Sequence, residues 1–188
     1  AVMEANEIEL ILESLAELNQ YGVAFLMSFG VTWLICGVFW QKTTENTAGY
    51  ATLFQGLVAL PVALLISYFM GALTDRPGGD IFTQLVMTIA MSQMLILPLI
   101  IVMQAKKQHT FIPFVFSASL TIHFVLYSWL YQTWIYIAMS VAIAAGGAVI
   151  YAMGQSENKT SPTGKSAAAC CYFTGAVLMA AGTVFLFI

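Results

Sequence analysis

Uninterrupted runs without a charged side chain constrain this sequence most. A bilayer core accepts a chain only where its backbone polar groups are paired internally, and for a helical segment that means a long uncharged helix. A helix rises about 1.5 Å per residue and the hydrocarbon is about 30 Å thick, so about 20 uncharged residues make one crossing. Charge-free stretches occupy residues 18–41, 46–74, 81–105, 108–156 and 166–188. Most suit one helix, but 108–156 would run about 73 Å as a single helix and must turn back once. The turn is expected at Gln132 and Thr133, the strongly polar pair between its two halves. Six spans follow, at about 21–40, 50–73, 81–104, 111–130, 134–153 and 166–188.

Composition agrees with this reading. Of 188 residues, 60% are hydrophobic and 8% charged, too few charges to cover a surface that faces water. The expected fold class is all-α: a polytopic membrane helix bundle of six transmembrane helices, preceded by a short acidic amphipathic helix. Residues 1–20 would form the acidic N-terminal helix and 21–188 the six-helix transmembrane domain. The N-terminal region is acidic and shows no small-residue cleavage site after a short apolar core, so no cleavable secretory signal is expected.

In the turn segment, Tyr127, Trp129, Tyr131, Trp134 and Tyr136 flank the polar pair on both sides. Tyrosine and tryptophan combine an apolar body with a polar tip and collect at membrane interfaces, so these residues are expected to mark the headgroup level. Of the six basic residues, Lys42, Lys106, Lys107, Lys159 and Lys165 fall in loops one, three and five, whereas Arg76 falls on the other side. The excess of lysine places the odd loops in the cytoplasm, with both termini outside, in a bacterial cytoplasmic membrane. Asn158-Lys159-Thr160 matches a glycosylation sequon but lies on the cytoplasmic side in this topology. The stretch "DRPGGD" reads as a short turn, and "GQSENKTSPTGK" as the longest polar loop between spans.

Residues 4–20 read as a helix. Asn6 and Glu9 have the spacing of a capping box, and Ile8, Ile11, Leu15 and Leu18 form a stripe at helical spacing beside Glu9, Glu13 and Glu17. An acidic face gains nothing from anionic lipid. The helix is therefore expected to continue the first span into solvent, or to pack on the protein's own face, a sister copy or a partner protein through residues 4–17.

Chemistry-bearing motifs are scarce. The sequence holds no glycine-rich phosphate loop, no H-E-x-x-H, no G-x-S-x-G and no basic run for nucleic acid. Cys36, Cys170 and Cys171 form no C-x-x-C pair, so no metal site is expected. No cofactor and no catalytic residue is assigned. The acidic and basic residues all lie outside the predicted spans, which leaves a classical intramembrane proton relay without its carboxylate. His123 is the one histidine within them, some 12 Å from the boundary at Tyr131. Ser119 and Tyr127 lie four residues to either side, on the same helix face. Ser28, Ser67, Thr88, Ser140 and Thr183 sit at about 7 to 12 Å on the other spans.

Two readings stay open. These groups line a polar cavity in the outer half, with His123 as the switchable member, or they are satisfied locally by backbone and neighbouring helices. Pro61 and Pro98 interrupt their spans and free the carbonyls of Leu57 and Met94, so each is expected to kink its helix. Gln55, Gly56, Ser92 and Gln93 cluster near these breaks. The expected ligand-binding residues are His123, Ser119, Tyr127, Ser28, Thr88, Ser92 and Gln93. Gly22, Gly30 and Gly37, and Ala145, Gly146 and Gly147, permit close helix approach.

The segments "IHFVLYSWLYQTWIY", "LPVALLISYFMG" and "LILPLIIVM" resemble an uncharacterised family of small multi-pass bacterial membrane proteins, over about spans one to five. The run H-F-x-x-Y-S-W-L-Y is the most specific part, with Val125 and Leu126 standing where a Leu-Pro pair would be expected. The resemblance implies the architecture and draws attention to His123, Tyr127, Ser128, Trp129 and Tyr131. It implies no reaction. The functional expectation is an integral membrane protein that binds or passes a small polar or amphipathic molecule near His123. The alternative is a non-catalytic membrane subunit or assembly protein acting through the acidic helix.

Overall fold

The computed structural model describes residues 5–73, 79–154 and 163–187. Among these residues all regular structure is helical: α1 (Ala5–Leu18), α2 (Val23–Lys42), α3 (Glu45–Phe54), α4 (Gly56–Phe69), α5 (Gly79–Ser92), α6 (Leu97–Ala105), α7 (Ile112–Leu130), α8 (Ile135–Met153) and α9 (Gly164–Phe185). Six stretches are long and apolar enough to cross a membrane: Gln20–Lys42, Glu45–Phe69, Gly79–Ala105, His109–Leu130, Ile135–Met153 and Gly164–Phe185. The protein is a helical membrane bundle. Leu57, Leu65, Leu95, Ile122 and Val141 point outward from it, as a lipid-facing surface requires. Arg76, Lys159, the Asn158 sequon and the interiors of the "DRPGGD" and "GQSENKTSPTGK" segments lie outside the described residues.

The bundle is organised around the antiparallel packing of α2 on α9. Gly30 and Gly175 make this contact close: a Cβ added at Gly175 would stand 2.9 Å from the Gly30 carbonyl oxygen. Further along, Gly37 lies against the ring of Tyr172 and Gly182 against Met27, the small-residue packing by which membrane helices approach without help from water. Trp33, fully buried, tilts against Phe116 of α7 at 5.7 Å between ring centroids. The third span, α5 with α6, buries the smallest share of its residues.

Spans two and three are each interrupted. Span two breaks at Gln55, between α3 and α4, so the discontinuity lies before Pro61, which sits inside α4. Both Val58 and Ala59 donate their backbone N–H to the Gln55 carbonyl. In span three the backbone tightens to a 3-10 turn over Gln93–Ile96 before Pro98. Leu97 donates its N–H to the Met94 carbonyl that Pro98 cannot reach, so the freed acceptor is taken up by the tighter turn.

Two ends are chemically distinct. Lys42, Lys106, Lys107 and Lys165 gather at one, where Thr44 and Thr163 cap α3 and α9 by accepting N–H bonds from Thr47 and Ser166. At the other end, α7 and α8 are joined through Gln132, and α1 meets α2 through Gln20, Tyr21 and Gly22, all in the left-handed region at φ 43°, 52° and 77°. Non-glycine residues reach that region at a cost, and Tyr136 helps hold them there by donating its hydroxyl to the Tyr21 carbonyl. Helix α1 buries Leu12, Leu15 and Ala16 in the common core and exposes Glu7, Glu9, Glu13 and Glu17. Asn6 lies within α1, which has already begun at Ala5. The expected capping box is therefore not formed, because its first residue is helical.

Candidate functional site

The polar groups of α7 meet the interrupted third span. A spacing of four places Ser119, His123 and Tyr127 along one face of α7, and this face meets α5 at the point where its helix gives way to the 3-10 turn. His123 Nδ1 lies 3.4 Å from Ser92 Oγ. Ser92 has one hydroxyl proton, which it directs to the Ile89 carbonyl at 2.6 Å, so its oxygen is the acceptor toward His123. That arrangement places the imidazole proton on Nδ1 and leaves Nε2 as an acceptor. Tyr127 stands edge-on to the imidazole with ring centroids 4.7 Å apart.

Gln93 begins the 3-10 turn. Its Oε1 accepts from Ser119 Oγ at 3.4 Å, while its Nε2 is buried without a hydrogen-bond partner. An unpaired buried amide donor costs about 1–3 kcal/mol, a penalty that α-helical packing alone gives no reason to accept. Beside this seam a shallow, open groove of about 390 Å³ runs along α5 into the 3-10 turn, lined by Met87, Thr88, Met91, Ser92 and Leu95. Ser92 belongs to both, joining the seam to the groove.

The remaining predicted residues are distributed differently. Thr88 is exposed and donates to the Gln84 carbonyl of its own helix. Ser28 is buried on α2 with no partner for its hydroxyl. Ser140 donates to Tyr136 and toward the Thr121 carbonyl, and Thr183 to Met179. The structure thus joins His123, Ser92 and Tyr127, and Ser119 with Gln93, into one seam, and does not bring Ser28 to it through any hydrogen bond. Gln93 does not bond the carbonyl freed by Pro98, nor Gln55 the one freed by Pro61.

The aromatic run divides by direction. Trp129 and Trp134 are exposed, at the level where an interfacial belt belongs. Tyr131 and Tyr136 turn inward instead, forming a cluster with Tyr127, Tyr21 and Phe185 with centroids 5.1 to 6.4 Å apart. This cluster connects the His123 seam to the turn that carries α1.

One family model matches residues 9–182, a range running from within α1 into α9 and enclosing the whole seam. The chain belongs to DUF7010, a family of unknown function. No curated protein and no solved structure matches the sequence. Family membership therefore extends to α1 and the sixth span without adding a reaction to the DUF7010 bundle.

A second polar cluster in this DUF7010 protein lies at the lysine-bearing end. Gln104 of α6 donates to both the backbone oxygen and the Oδ1 of Asn46, at 3.0 and 2.9 Å, and its Oε1 lies 3.0 Å from His109 Nδ1. Gly49 admits the amide: a Cβ there would collide with Gln104 Oε1. Sequence reasoning passed over these residues because each stands near the edge of a charge-free stretch, where polar side chains usually face the headgroups. The available signal was a glutamine inside the last turn of an otherwise apolar helix.

Proposed function

We propose that the protein binds a small amphipathic molecule at the seam between α5 and α7, reached from the lipid through the groove along α5. The observation that carries this reading is the buried, unpaired Gln93 Nε2 at an interrupted helix, on the same seam as His123, whose Nδ1 lies against Ser92. The ligand that suits the pair offers one hydrogen-bond acceptor and one donor on an apolar body, such as a small amide or alcohol. Passage of that molecule across the membrane is the extension of the same reading, with α5 and its break as the mobile element.

The test is thermal unfolding in lipid nanodiscs against a panel of small amphipathic amides and alcohols. A compound that raises the melting temperature of the wild type, and loses this effect in both Gln93→Leu and His123→Phe, supports the seam. Stabilisation that survives in both variants, or a panel without any saturable stabiliser, overturns it.

The lysine distribution supports a bacterial cytoplasmic membrane with the lysine-bearing end inside and both termini outside. Single-cysteine variants Lys107→Cys and Gln132→Cys in a cysteine-free background test this in whole cells. An impermeant maleimide should label the second alone; labelling of the first alone reverses the orientation. A second reading, a non-catalytic subunit that meets a partner through α1, is favoured by the exposed Glu9, Glu13 and Glu17 beside the exposed Leu10. Replacing the three glutamates by glutamine should then abolish co-purification of the partner while leaving the melting temperature unchanged.

A further inference from the structure

The two halves of span three are fastened unequally. Of the residues in its most apolar stretch 11% are buried, against 33% in span two, which is also interrupted. The first half, α5, buries Phe82 and Ile89, and the hydroxyls of Thr83 and Thr88 serve their own helix. Among the described residues, the side-chain hydrogen bonds from α5 and the turn after it to another helix are Ser92 with His123 and Gln93 with Ser119. Each is 3.4 Å long, beyond the usual range of about 2.7 to 3.2 Å. The second half, α6, buries Ile100, Met103 and Gln104. Gln104 Nε2 donates to the backbone oxygen and to the Oδ1 of Asn46 at 3.0 and 2.9 Å, while its Oε1, an acceptor alone, takes the proton on His109 Nδ1 at 3.0 Å. One buried amide thus ties α6 to α3 and to the entry of α7.

Between the halves, Gln93–Ile96 form a 3-10 turn and Pro98 removes a backbone donor, the kind of break at which a membrane helix bends. Swinging α5 about this turn meets little resistance in lipid. Phe82 and Ile89 would pass from protein to hydrocarbon rather than to water, so the hydrophobic effect does not oppose the motion. Packing contacts and two long hydrogen bonds oppose it. Moving α6 away from α3 would instead strand the Gln104 amide without partners where water is scarce. We infer that span three is hinged: α5 swings off α7 about the Gln93–Ile96 turn, while Gln104 keeps α6 clamped to α3. The swing parts Ser92 from His123 and Gln93 from Ser119, so it opens the α5–α7 seam to the lipid. The inference rests on the reading of α5 as the mobile element, to which it adds the hinge and the clamp, but the motion itself needs no ligand.

The experiment measures distances between paired nitroxide labels on the full chain in ligand-free nanodiscs, in the cysteine-free background. Ile81→Cys with Ile137→Cys reports α5 against α8, and Val102→Cys with Val149→Cys reports α6 against α8; all four positions are exposed, so the labels leave the core undisturbed. Label motion widens both distance distributions alike, so the first is expected to be roughly twice as wide as the second if α5 alone swings. Gln104→Leu should widen the second pair to about the width of the first. Asn46→Ala, at an exposed position, removes one of the two acceptors and should widen it less; it carries the test if the leucine variant does not fold. Equal widths in the wild type overturn the hinge, and a second pair that stays narrow in the folded variants overturns the clamp. Unequal widths in a protein that binds no compound of the amide and alcohol panel overturn the binding reading and leave the hinge standing; ligand stabilisation with equal widths does the reverse.

Discussion

Replacing Gly175 by alanine tests the contact on which the bundle is built. On the observed backbone the new Cβ would stand 2.9 Å from the Gly30 carbonyl oxygen and 2.9 Å from Leu34 Cδ2. The leucine can rotate away, but the carbonyl belongs to the backbone of α2, so α2 and α9 must separate by a few tenths of an ångström along a well-packed interface. Overpacking of this kind costs about 1–3 kcal/mol. A second variant isolates that cost. At Gly56 an added Cβ meets nothing within 4 Å, while both substitutions gain helix preference of up to about 1 kcal/mol. Their difference is therefore expected near 2 kcal/mol, a factor of about 30 in the folding equilibrium. Reversible unfolding in mixed micelles, followed by far-UV circular dichroism across a dodecyl sulfate titration, measures it. Equal midpoints for Gly175→Ala and Gly56→Ala would refute the close approach of the first and last spans.

Three further substitutions probe other parts of the structure. Tyr136→Phe deprives the Tyr21 carbonyl of its donor, so amide exchange in α1 should accelerate and stability fall by about 1–3 kcal/mol; unchanged exchange would detach this bond from the anchoring of α1. Gln104→Leu removes both bonds to Asn46 and the partner of His109, with an expected loss of about 2 kcal/mol. Combining it with His109→Leu should cost less than the sum of the two, and strict additivity in a double-mutant cycle would contradict a shared network. Thr88→Val is expected to change stability by less than about 0.5 kcal/mol, because the hydroxyl serves its own helix at an exposed position; a larger loss in thermal unfolding would show that the hydroxyl makes a contact beyond its own helix.

Charge spacing made the architecture legible. The uncharged length of 108–156 demanded a reversal, and the chain reverses at Gln132, whose φ of 48° is the conformation such a turn uses. The stripe of α1 was legible as a buried face, although the residues sealed in the core are Leu12, Leu15 and Ala16, with Ile8 and Ile11 at its margin. The candidate site was legible in part. Spacing along α7 aligned Ser119, His123 and Tyr127, and Pro98 pointed to the break beside Ser92 and Gln93. Depth, however, was the one coordinate available for the other spans, and depth does not say which way a side chain faces. Thr88 and Ser140 stand at comparable depth, yet Thr88 faces outward and Ser140 packs against α7. The pairing of Gln104 with Asn46 joins residues far apart in the chain, so no local pattern announced it.

Hydropathy and charge, read residue by residue, determined that the chain enters a membrane, how many times it crosses, and where it must turn. Those properties follow from transfer of each side chain between water and lipid, which is nearly independent of its neighbours. Tertiary structure decided which helices touch, that the α2–α9 contact closes on Gly30 and Gly175, and that Gln55 and Gln93 are left with buried, unpaired amide nitrogens. In lipid every spanning helix is already apolar outside, so hydrophobicity does not choose its partners. Shape and hydrogen bonding across the interfaces choose them, and those are properties of pairs of faces that a linear sequence does not display.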